Sequence, residues 1–128
     1  MRNPHALIEQ YALDGWHMED DSPRMMKIAT TPEPPYYAVI APAVLSSDVC
    51  GYGEMALRLM EVAREVDGFL GIESCYQGRF TLAVSYWRSL EAIDAWRAHA
   101  RHRVAKDNGK TRWFDAYFTR IARVERDY

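Results

Sequence analysis

Residues 80–96 constrain the fold more than any other stretch, because a β-alternating run from Phe80 to Trp87 passes without a linker into a helical pattern. Up to Trp87 the side chains alternate with period two. Beyond it, Ala92, Ile93, Trp96 and Ala100 repeat at helical spacing. Ser89 can cap that helix and Glu91 complements the dipole of its first turn, which predicts a helix to about residue 106. With Trp87 at the junction and Trp96, His99 and His102 on the helix, the arrangement outlines a pocket of ligand size.

The same kind of switch organises the chain from residue 36 onward. Residues 36–44 read as a strand with few polar positions on either face. Residues 52–66 carry Met55, Leu59, Val62 and Val66 at helical spacing, and Gly68 supplies a left-handed stop. Residues 69–76 and 79–87 then form two strands joined by Gln77-Gly78. After the second helix, which Asn108-Gly109 ends, residues 116–125 alternate as a fourth strand. The order βαββαβ predicts an α+β, ferredoxin-like fold: an antiparallel four-stranded sheet with both helices on one face.

Along the third strand Phe80, Leu82, Val84 and Tyr86 share one face, while Thr81, Ala83, Ser85 and Trp87 share the other, which is small but hardly polar. A sheet with apolar content on both sides needs a second cover, and a homodimer in which two sheets face each other provides it. Residues 1–35 fall outside this plan as an N-terminal arm. Asn3, Pro4, Leu7, Ile8, Tyr11 and Gly15 fit a short helix, expected to dock on a barrel surface, and Thr30-Thr31-Pro32-Glu33-Pro34-Pro35 fits an extended linker.

Composition narrows the class. A chain of 128 residues with 48% hydrophobic and 27% charged residues is one globular domain, and a net charge of −2 argues against a nucleic-acid or membrane partner. The basic run Arg97, Arg101, Arg103, Lys106, Lys110 and Arg112 is interrupted by Asp94 at one end and by Asp107 and Asp115 at the other, as on a solvated helix face. Two separated cysteines, Cys50 and Cys75, fit free thiols, and with no apolar stretch of signal length they place the chain in the cytoplasm. Glycine-rich phosphate loops, dinucleotide fingerprints, GxSxG and HExxH are all missing, so no cofactor and no metal are expected.

The run from residue 80 to 96, with Asp67-Gly68-Phe69-Leu70-Gly71-Ile72-Glu73-Ser74 before it, resembles the antibiotic biosynthesis monooxygenase family. The resemblance covers residues 36–128 and implies a dimeric α/β barrel. It also implies a cofactor-independent monooxygenase that oxidises a small aromatic or quinol-like substrate with dioxygen, the deprotonated substrate itself reducing the oxygen. Such an enzyme needs a base and an aromatic cavity. His99 is the first candidate base, with His102 second, since an imidazole in a partly apolar cavity can titrate near neutrality. Trp87, Trp96, Trp113, Phe114 and Tyr117 are candidate stacking walls, and Tyr86 and Tyr117 bring hydroxyls that could orient a phenolate or carbonyl.

Two alternatives accompany this expectation. In haem-degrading members of the family a Trp and a His on the second helix act with an Asn on the first strand. Trp96 matches the Trp, and His102 or His99 the His, but Tyr36-Tyr37-Ala38-Val39-Ile40-Ala41-Pro42 holds no Asn. The other alternative is a non-catalytic barrel that binds a small molecule, or merely dimerises with its interior filled by Trp87, Trp96 and Tyr117.

Overall fold

The computed structural model describes residues 27–106 and 113–128, the side chains of residues 102–106 excepted. Strand β1 (Tyr36–Leu45) leads into helix α1 (Tyr52–Glu65). Strands β2 (Phe69–Gln77) and β3 (Phe80–Trp87) follow, then helix α2 (Leu90–Lys106) and strands β4 (Phe114–Tyr117) and β5 (Arg120–Val124). All pairings are antiparallel, in the order β2-β3-β1-β4 with β5 also on β1. This is the ferredoxin-like α+β arrangement. The expected arm helix near Leu7, Ile8 and Tyr11 and the stop at Asn108-Gly109 lie outside the described residues.

Local chemistry accounts for the element boundaries. The Ser89 hydroxyl accepts the Ala92 N–H at 3.1 Å and so caps α2. Gly68, with φ of 102°, turns the chain after α1, and a Cβ there would sit 2.8 Å from the Ala92 Cβ. Glycine therefore both permits the turn and admits α2. In the hairpin Gln77 pairs with Phe80, so the connecting residues are Gly78-Arg79, one position later than expected. The reason is that Gly78, with φ of 60°, occupies the first turn position, where a primed hairpin turn requires positive φ.

The fourth strand is divided where a single one was expected. Ala43 faces Tyr117 and Ile40 faces Arg120, so β4 and β5 keep one register against β1. Between them the Phe118 N–H donates to the Pro42 carbonyl at 3.1 Å, but proline has no N–H to return the bond. The ladder lapses over residues 118–119.

The core sits between the sheet and the helices, where Trp87 and Ile93 are wholly buried with Val39, Ala63 and Ala92 around them. Burial would leave the Trp87 indole N–H unsatisfied, and Ser85, two residues back on the same face, accepts it at 2.8 Å. The Trp96 indole donates to the Leu59 carbonyl at 3.3 Å, tying α2 to α1. On the opposite sheet face Ile40, Pro42, Val44, Leu82 and Val84 are half-buried and Phe80 is 47% exposed, an apolar surface with no helix of the described residues on it.

One end of that open face is occupied by the chain's own residues before β1. The Ala29 N–H donates to one carboxylate oxygen of Glu73 at 3.0 Å, and the Tyr86 hydroxyl donates to the other at 2.6 Å. Beside them the Thr31 hydroxyl donates to the Tyr36 hydroxyl at 3.1 Å, which donates to Asp127 at 2.7 Å. Tyr36 and Tyr86 meet edge to face.

Candidate binding cavity

The register explains why space remains between the sheet and α1. Ser74, Ala83 and Ala41 lie side by side across β2, β3 and β1 on the helix side of the sheet. Three small side chains in one row leave a trough. Above it, α1 presents Gly53, Ala56 and Ala63. The result is a cavity of about 250 Å³.

Its two ends differ. At one end Phe69, Trp87 and Trp96 form an aromatic wall, Trp87 and Trp96 having ring centres 5.5 Å apart and Phe69 meeting Trp87 edge-on at 5.1 Å. At the other end Tyr52, Tyr76 and Thr81 bring hydroxyls to a mainly apolar lining. The Thr81 hydroxyl stands beside that of Tyr52; burial pushes the Tyr52 phenol above its usual value, and Thr81 offsets part of that rise. Between the ends run Ile72, Ser85 and Val39 and the small row itself, so Thr81 and Ser85 mark a floor about 13 Å long by strand rise. An apolar cavity of about 150 Å³ takes a benzene ring. The volume here suits one ring or two fused rings.

Trp87 and Trp96 are the two expected site residues that meet at this cavity. Tyr86 lies on the other side of the sheet, where partial burial, and then the hydrogen bond and charge of Glu73, push its phenol up to about 12. Trp113 is buried beside the cavity, not in its wall: its indole donates to the Cys50 carbonyl at 2.8 Å, and its carbonyl accepts the Ser46 N–H at 2.7 Å, which fixes the loop before α1. Tyr117 is 72% exposed on the edge strand β4 and packs on Phe114.

His99 is exposed and does not line the cavity, although Trp96, three residues before it, does. The buried stripe of α2 runs through Ala92, Ile93, Trp96 and Ala100, and a residue three positions after Trp96 falls on its margin. The His102 side chain is outside the described residues. Among the described residues, no lining residue is Asp, Glu, Lys, Arg or His. Sequence reasoning missed Tyr52, Ser74 and Ala41. The small face formed by Thr81, Ala83 and Ser85 was the visible signal, but its partners depend on register. Among the described residues no cluster of His, Cys, Asp and Glu could hold a metal ion, and no helix is long and apolar enough to cross a membrane.

The fold is that of the antibiotic biosynthesis monooxygenase-type proteins. SnoaB from Streptomyces nogalater, a cofactor-independent oxygenase, superposes with a TM-score of 0.59 at 8% identity, over 73% of this chain and 95% of that one. A structure described as an antibiotic biosynthesis monooxygenase superposes at 0.55 with 14% identity, over 72% of this chain and 99% of the other. No protein-family model matches the chain. The uncharacterized protein YqjZ of Bacillus subtilis strain 168 is 46% identical over 101 residues, 77% of this chain and 88% of that protein. The chain belongs to the same family as YqjZ.

Proposed function

We propose that the protein binds a one- or two-ring aromatic or quinol-like compound between sheet and helices and oxidises it with dioxygen, acting as a monooxygenase without a bound cofactor. The observation that carries this reading is the cavity itself, walled by Trp87 and Trp96 at one end and by hydroxyls at the other. Flat rings stack on such walls. The fold shared with SnoaB supports the reaction class. A cavity of about 250 Å³ is too small for a tetrapyrrole, which weighs against the haem alternative.

A specific observation favours the second reading, a binding protein without turnover: among the described residues, the lining holds no side chain that serves as a base near neutral pH. The test is dioxygen uptake with a panel of hydroquinones, anthrones and haem. Saturable uptake with a one- or two-ring hydroquinone supports oxidation. Saturable binding with no uptake across the panel supports the second reading.

The homodimer is part of the same proposal. Ile40, Val44, Leu82 and Val84 form the middle of an apolar sheet face that a second copy of the chain would bury.

A further inference from the structure

Hydroxyl groups are the polar features of the cavity, and they are not equivalent. Ser85 already accepts the Trp87 indole. Tyr52 and Thr81 meet each other, and both line the cavity. Two neighbouring hydroxyls carry two hydrogens, and a bond between them uses at most one. The second hydrogen, with the remaining lone pairs, is available to a third oxygen.

The position of that pair is fixed in advance. Trp113 meets the Tyr52 ring edge-on at 5.8 Å and Phe114 does so at 5.6 Å, while the Trp113 indole is itself held by the Cys50 carbonyl. A phenol gripped in this way needs little ordering when a ligand arrives. Thr81 sits on β3 in the row next to Ala83, so an oxygen placed at the pair carries its ring onto the small floor.

We propose that the Tyr52 and Thr81 hydroxyls form the ligand anchor of this cavity, selecting an uncharged one- or two-ring aromatic compound with a hydroxyl or carbonyl oxygen at one edge. The ring lies over Ser74, Ala83 and Ala41 and points its far edge at Trp87 and Trp96. This rests on the reading of the cavity as a ligand site. Selection against charge follows from the lining, because a carboxylate would lose its water and meet no cation among the described residues. The oxygen preference is moderate. One hydrogen bond between neutral groups is worth roughly three- to tenfold in affinity. Far larger discrimination arises where an absent ligand group leaves buried polar atoms bare, whereas here the Tyr52 and Thr81 hydroxyls stand close enough to turn to each other.

Three probes of one shape test it on the full chain: naphthalene, 2-naphthol and 2-naphthoate, titrated against tryptophan fluorescence. The protein should bind 2-naphthol roughly three- to tenfold more tightly than naphthalene, with 2-naphthoate weakest. Tyr52→Phe and Thr81→Val should each retain naphthalene affinity and lose the advantage of 2-naphthol. Equal affinity for 2-naphthol and naphthalene, or a preference that survives both substitutions, overturns the anchor and leaves the cavity reading intact. Failure of all three probes to bind overturns both. If Tyr52→Phe does not fold, Thr81→Val carries the comparison alone.

Discussion

Gly71 of β2 and Ala29 of the segment before β1 touch so closely that a Cβ on Gly71 would lie 2.8 Å from the Ala29 Cβ. Gly71 is also at φ of 154°, a conformation that side chains of L-residues rarely adopt. Gly71→Ala should therefore displace residues near Ala29 and lower stability by about 1–3 kcal/mol, the scale of overpacking. Urea unfolding and limited proteolysis near Lys27 would register both effects, and an unchanged midpoint would show that the segment is a passenger.

Glu73 joins the same segment to Tyr86, and this makes a titration prediction. The Tyr86 phenol is held up to about 12 against a usual 10.0, so the folded state keeps its proton more firmly than the unfolded chain. The associated stability is complete below 10.0 and is lost as pH rises from there to about 12. Glu73→Gln should bring the phenolate transition down, still above the usual value because burial is the larger cause. Ultraviolet titration of the phenolate band is the measurement.

Ala83 is the centre of the small row, so Ala83→Leu should fill the cavity. Burying three more carbon atoms is worth about 2 kcal/mol, so stability should hold or rise while aromatic ligands lose at least about tenfold in affinity. Thermal melting and ligand titration on the same variant check the pair of outcomes. Affinity that survives would move the ligand site elsewhere.

On α2, Trp96 and His99 should respond differently to substitution. Trp96→Ala, which removes an indole packed on Trp87, is expected to cost about 3–5 kcal/mol. His99→Ala, at an exposed position outside the lining, should change stability by less than about 0.5 kcal/mol and leave ligand affinity alone. A large loss of turnover in His99→Ala would restore it as the base.

Light scattering should return twice the chain mass of 14.8 kDa, and Val84→Asp on the open face should reduce it to a monomer. A monodisperse wild-type monomer would remove the dimer from the proposal.

Much of the fold was legible because its signals are local. Ser89 as a cap, Gly68 as a stop and the alternation from Phe80 to Trp87 each act within a few residues, and they fix element order without knowledge of the neighbours. The cavity was only half legible. That Thr81, Ala83 and Ser85 share a face follows from period two, but that Ala83 stands between Ser74 and Ala41 follows from register, which a single strand does not encode. His99 marks the same boundary from the other side. Spacing of three brings two residues near each other on a helix, yet only the packing of Ala92, Ile93 and Trp96 decides which margin faces water.

Pro42 gives the outer strand a mechanical character that an unbroken ladder would lack. Its missing donor divides the seam along β1 into two clasps, residues 114–117 against one end and residues 120–124 against the other. The first clasp adjoins Phe114 and Trp113, which hold Tyr52 at the hydroxyl end of the cavity. The second runs toward Asp127, which receives Tyr36 on the far side of the sheet. Because cooperativity along a seam is carried by successive backbone bonds, fraying of one clasp stops at the proline. The hydroxyl end of the cavity is thus backed by a seam of three residue pairs, and the closure at Tyr36 by a separate seam of five.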